Sequence, residues 1–130
     1  MRLRLGREPH RLKAPHPLLI QELLELAAAG KQTAVSTMIE MLQDLYVHGR
    51  LSRFLVKLGH SPLWELKPAS RGGERGGSRV YLFLLSTGDA GLVNCEVKEP
   101  DAPTSQAKLL TGLRMMKAYS DGIPVFEERR

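Results

Sequence analysis

The chain has 130 residues, 42% hydrophobic and 25% charged, with a formal net charge of +5; this is globular composition, in a chain long enough to bury roughly two-thirds of its unfolded surface as one domain, 1–130, without metal or disulfide help. No apolar run approaches the ~20 residues of a membrane span, and no apolar segment follows the cationic start MRLRLGREPHRLK as a secretory signal would require. The lone Cys95 permits no disulfide within the chain, so a cytoplasmic address is expected.

Leu3 and Leu5 alternate weakly, which suits an edge strand within 1–15, before Pro9, Pro15 and Pro17 interrupt regular structure. Leu18–Ala29 is predicted as a helix: Pro17 suits its first turn, Leu, Glu and Ala favour it throughout, and Gly30 follows its end. Val35, Met38, Ile39, Leu42, Leu45 and Tyr46 then fall on one face of a second helix, with Thr33 as its cap and Gly49 at its end. Helices so closely joined pack as an antiparallel hairpin. Arg50–His60 reads as a connector with Leu51, Phe54, Leu55 and Leu58 turned inward and cations outward.

Three strands are predicted next: Leu63–Lys67, Arg79–Ser86 and Leu92–Lys98. The first turn, PASRGGERGGS, exceeds what a hairpin needs and reads as a mobile loop carrying Arg71 and Arg75. Arg79–Ser86 is almost continuously apolar after Tyr81, as befits a central strand buried on both faces. A last helix, about Gln106–Tyr119, is expected after the linker EPDAPTS. Ser105 or Thr104 caps it, Leu109, Leu113 and Met116 form its buried stripe, and Gly122 ends it. Val125 and Phe126 of the tail 123–130 pack back. The fold class is α+β: a helical hairpin on a small antiparallel sheet, a three-stranded meander plus an edge strand, closed by a C-terminal helix.

Alternation along the strands sorts their side chains into two faces. Trp64, Leu66, Val80, Leu82, Leu84, Val93, Cys95 and Val97 form an apolar face that the helices would cover. Glu65, Lys67, Arg79, Tyr81, Asn94, Glu96 and Lys98 form the opposite, polar face. Charge is concentrated beside it. Arg50, Arg53, Lys57, Lys67, Arg71, Arg75 and Arg79 stand against Glu65 and Glu74 alone. The whole net excess arises in 50–79, as in a surface that meets a polyanion.

Several chemistries lack their residues. One cysteine and four scattered histidines (His10, His16, His48, His60) offer no ligand spacing, so no metal is expected. There is no phosphate-binding GxxxxGK[ST] loop, the RGGERGG glycines do not match a dinucleotide fingerprint, and no GxSxG elbow occurs. No cofactor is expected. The cationic face suits a phosphodiester: Lys67, Arg79 and Lys98 can hold phosphate and stabilise the charge that develops on it. Glu65 or Glu96, or a lysine whose pKa the crowded cations depress, can accept a ribose 2′-hydroxyl proton. Cross-strand ion pairs among the same residues are the structural alternative.

The phrases LGHSPLWELKP, SRVYLFLL, NCEVKEPDAPTSQAKLL and MMKAYSDG, in this order of elements, resemble the RelE/ParE toxin superfamily, in its HigB-like, phage-derived branch. The resemblance spans about Leu18 to Gly122. It implies a toxin of a type II toxin–antitoxin system, a ribosome-dependent endoribonuclease that cleaves mRNA on the open sheet face. Its partners would be a cognate antitoxin protein, the ribosome and mRNA, without a membrane. The family's strand lysine falls on Lys67, the arginine opening the next strand on Arg79, and its last basic strand residue on Lys98. Glu65 stands where a second family lysine would be, and no tyrosine follows Lys98 closely. Arg71, Arg75 and Lys57 are expected to bind RNA, and Tyr81 either stacks on a base or packs. Two alternatives share the fold: a ParE-like inhibitor of DNA gyrase without enzymatic activity, and an inactive prophage-derived nucleic-acid-binding relative. Arg79→Ala is expected to abolish activity at little cost in stability.

Overall fold

Elements follow the chain as β1 (Leu3–Leu5), α1 (Leu18–Ala28), α2 (Gln32–His48), β2 (Leu55–Lys57), β3 (Trp64–Leu66), α3 (Gly73–Gly77), β4 (Ser78–Leu84), β5 (Ala90–Val97) and α4 (Gln106–Ser120), in a computed structural model that describes residues 1–126. The fold is α+β, with one mixed sheet in the order β1-β5-β4-β3-β2. Neighbours from β2 to β5 are antiparallel, and β1 runs parallel to β5 with Leu3 opposite Ala90. The sheet is wider than the sequence suggests. Three residues of the expected connector, Leu55–Lys57, pair with β3 as the far edge strand, a run too short to carry a recognisable strand pattern. Leu51, expected inside, is 89% exposed on the 3₁₀ turn Gly49–Leu51.

The sheet carries a core on each side. On one, Leu19 of α1 and Ala34, Met38, Met41 and Leu45 of α2 pack on Leu66, Val80, Leu82, Leu92 and Cys95. On the other, Met115 and Ala118 of α4 join Leu63, Phe83, Val93, Val125 and Phe126. Each fully buried large side chain here contributes about 1.5–3 kcal/mol by leaving water. Val93 was expected on the face of Cys95, and a bulge moves it. Tyr81 pairs with Asn94 but Leu82 with Leu92, so Val93 is an extra residue in β5. Both Val93 and Asn94 then turn toward α4, one into the core and the other donating its amide to Lys108 O at 3.2 Å.

The helices follow the sequence in extent more closely than in rotation and capping. Thr33 does not cap α2, which starts one residue before it. The Glu74 carboxylate accepts from Ala34 N at 2.8 Å instead. Ser105 caps α4 as expected, accepting from Lys108 N at 3.4 Å. The face that α4 buries is centred on Gly112, Met115 and Ala118; Leu109 and Met116 of the predicted stripe pack half-buried at its edge, and Leu113 is 40% exposed. Gly112 explains the rotation. A Cβ there would lie 2.9 Å from Leu63 Cδ1, so the bare backbone at this position lets α4 settle closely on the sheet.

Val125 and Phe126 pack back as expected: Arg7 N donates to Val125 O at 2.8 Å, and the Phe126 ring lies 5.8 Å from Phe83 and 5.3 Å from Tyr119. The rest of the predicted tail, 127–130, is outside the described residues. Among the described residues no helix is long and apolar enough to cross a membrane.

Candidate functional site

α4 packs on the sheet at the Leu63, Phe83 and Val93 end and leaves the other end of that face open. There, a cleft of about 1110 Å³ is bounded by β2, the segment 67–77 and the linker 98–102. Arg53, Lys67, Arg71, Arg75, Arg79 and Lys98 line it, against Glu99 and Asp101. Backbone hydrogen bonds hold the walls together. Lys67 N donates to Phe54 O at 2.9 Å and Lys98 N to Gly77 O at 2.8 Å. Continuing the β3–β4 register past Leu66 and Val80 brings Lys67 beside Arg79.

The glycine-rich segment is built into this wall and is not a dangling loop. Gly73–Gly77 forms the short helix α3, whose Glu74 caps α2. Arg75 forks onto Glu40, at 3.0 and 3.4 Å, and donates to Thr37 Oγ1 at 3.2 Å. Glycine is required by proximity: a Cβ on Gly77 would stand 2.2 Å from Lys98 O. Packing thus explains the second glycine pair of RGGERGG, Gly76 and Gly77, and positive φ the first, Gly72 and Gly73. Arg71 stays exposed on the cleft wall, whereas Arg75 spends its fork on α2.

Arg79 is 8% exposed. Its Nη1 donates to Gly76 O at 2.8 Å and Ser78 O at 2.9 Å, and its Nε stands 4.0 Å from Glu65 Oε1. The expectation that Arg79→Ala costs little stability is therefore corrected: the guanidinium ties the α3–β4 junction. Glu65 is equally buried, and its Oε2 has no hydrogen-bond partner among the described residues. Burial pushes its carboxyl above the usual range, and Arg79, Lys98 and Lys67 pull it back while Glu96 adds to the rise.

The expected site residues do not all meet at the cleft. Neither Glu65 nor Glu96 belongs to its lining. Glu96 accepts from the Tyr81 hydroxyl at 2.5 Å and from Ser105 N at 3.1 Å, so it fastens the start of α4 to the sheet. Tyr81 has no exposed surface and cannot stack on a base; it packs. Burial first, and then the Glu96 carboxylate, hold its hydroxyl protonated far above the ordinary tyrosine range. Lys57 lies opposite Trp64 in the register, on the face that α1 and α2 cover, and is absent from the cleft.

Conversely, Arg53, Glu99 and Asp101 line the cleft and were not singled out in the sequence. Arg53 was visible only as one of several outward cations of the connector. The two acids sit in a linker whose path no periodicity reveals. Asp101 adopts φ +61°, a left-handed conformation that short polar side chains tolerate best after glycine. Among the described residues no three of His, Cys, Asp and Glu gather in a group able to hold a metal ion. No protein-family model matches the chain, and no curated protein matches it.

Proposed function

We propose that this chain is the toxin of a type II toxin–antitoxin system, a ribosome-dependent endoribonuclease of RelE-like, HigB-branch architecture that cleaves mRNA in the cytoplasm and is silenced by a cognate antitoxin. The observation that carries the reading is the gathering of Lys67, Arg79 and Lys98, with Arg53 and Arg71, in one open cleft. A helical hairpin on one sheet face, the antiparallel run β3–β4–β5 and a closing helix support the RelE-like arrangement.

In this mechanism the ribose 2′-oxygen attacks the adjacent phosphorus and the bond to the 5′-oxygen breaks. The products are a 2′,3′-cyclic phosphate and a 5′-hydroxyl. Arg79 and the two lysines stabilise the added negative charge. The proton leaves the 2′-hydroxyl for a base and returns to the departing oxygen. Glu65 and Glu96 stand behind the lining, which favours Glu99 or Asp101, the carboxylates within it, as acceptor.

That same withdrawal of Glu65 and Glu96 also favours a second reading, a relative that binds RNA without cutting it. The test adds purified protein to a defined mRNA, with and without translating ribosomes, and maps the ends by primer extension. Cuts at codon positions only with ribosomes, lost in a folded Lys67→Ala/Lys98→Ala double variant, are expected. RNA binding without cuts would leave the binding relative. Growth arrest without either would point to a gyrase-type inhibitor.

A further inference from the structure

We infer that the cleft grips single-stranded RNA by its sugar–phosphate backbone alone and is indifferent to the bases. This deepens the RNA reading above and rests on it. Proteins that hold single strands usually pair a cationic groove with aromatic side chains on which bases stack, worth roughly tenfold or more in affinity per base. This chain has three Phe, three Tyr and one Trp, and every one is accounted for.

Phe83 and Phe126 are in the core under α4, with Tyr119 edge-on to Phe126 at 5.3 Å. Tyr81 is fully buried. Trp64 packs on the opposite side of the sheet. Tyr46 is exposed, but on α2 and outside the cleft. Phe54 alone belongs to the lining, and it is 5% exposed with the Arg53 guanidinium 4.6 Å above its ring. Within the cleft no aromatic face is offered to a base.

Edge readout is sparsely supplied. Among the described residues the lining holds no Asn or Gln for adenine. Glu99 and Asp101 could favour an amino-bearing base, and guanine is the one base that the lining's Arg and Lys could also read by its edge. The cations, by contrast, are ready for phosphate. Among the described residues Lys67, Arg71 and Lys98 form no ion pair, and Arg79, though its Nη1 is bound to Gly76 O and Ser78 O, meets a carboxylate only at 4.0 Å. Four phosphate contacts are the natural stoichiometry.

The experiment is fluorescence anisotropy of the full chain with labelled eight-nucleotide strands of uridine, of cytidine, of adenosine and of alternating guanosine and uridine, and with an abasic ribose-phosphate strand of the same length. Affinities within about threefold of one another are expected, with a log–log salt slope of about −3 from four phosphates at about −0.7 each. An abasic strand bound tenfold or more weaker would overturn the inference while keeping the RNA site. A tenfold preference for cytidine or adenosine over uridine would also overturn it and identify Glu99 or Asp101 as a reader. A tenfold preference for the guanosine-bearing strand would overturn the inference as well and identify a lining cation as a reader. No binding of any free strand would overturn this inference, and the ribosome-dependent reading would then stand or fall on the primer-extension test alone.

Discussion

The two ends of one sheet face have opposite fates. At the end under α4, Phe83 and Val93 are sealed with Met115 and Phe126. At the other end the same strands carry Arg79 and Lys98 into an open cleft. Strand alternation assigned Tyr81, Asn94 and Glu96 to the same face as Lys67, and that assignment is a statement about direction only. Which of them reaches solvent is decided by where α4 begins. Its cap, Ser105, is tied to Glu96, and its Lys108 carbonyl receives Asn94. A side chain's face is local, but its exposure is a property of the element that lands on it.

The contrast is sharpest in a variant of the covered end. Phe83→Ala removes a 2%-exposed ring that packs on Phe126, and we expect a loss of about 3–5 kcal/mol in urea unfolding. RNA affinity of the folded fraction should be unchanged, because the ring is outside the cleft. A cost under about 1 kcal/mol would mean that α4 does not anchor this half, since fully buried aromatics seldom come out so cheaply. Gly77→Ala acts at the open end. Its new Cβ would lie 2.2 Å from backbone, not a movable side chain, so a cost of roughly 1–3 kcal/mol is expected. Here stability and RNA affinity should fall together, because Lys98, directly after β5, is the residue that must move. Undiminished RNA binding would show that the cleft tolerates separation of its walls.

The sequence made the helices legible because their cues are local. Proline just before α1, glycine after α2, and serine before α4 each act within a few residues. The α+β class followed from them and from the long runs of β4 and β5. What was missed depends on contacts distant in sequence. The cap of α2 comes from Glu74, forty residues on. The rotation of α4 depends on Leu63 meeting Gly112, and the bulge at Val93 has no mark in a strand that already reads as apolar. The same limit applies to the cleft. Its cations were legible because charge clusters in 50–79, but the burial of Glu65 beside β2 leaves no mark in the sequence. Arg71 and Arg75 looked equivalent in sequence, and only the proximity of Glu40 separates them.

Glu65 offers a smaller effect at the boundary between the two ends. Burial raises its carboxyl above the ordinary 4.5, against Arg79, Lys98 and Lys67 and with Glu96. The folded state therefore holds that proton more tightly than the unfolded chain does. Its contribution to stability is complete below the unfolded value and is lost as pH rises through the raised folded value. Urea midpoints measured upward from pH 4.5 should decline in the parent relative to Glu65→Gln, which cannot titrate there. Parallel curves would mean that the carboxyl is solvated after all and that the covered region stops short of it.

The smallest effects distinguish the two faces by their lysines. Lys57 and Lys67 are both exposed, so replacing either with Gln should change stability by no more than about 0.5 kcal/mol. Their consequences for RNA should differ. Lys67 lines the cleft, so Lys67→Gln should weaken binding to every strand alike and make the salt slope shallower by about 0.7, the share of one phosphate on a single strand. Lys57 faces the side that α1 and α2 cover, and Lys57→Gln should leave both affinity and slope unaltered. Equal losses from the two would mean that RNA is drawn by the net charge of 50–79 as a whole. The open end of the sheet would then be a basic surface, and not a site.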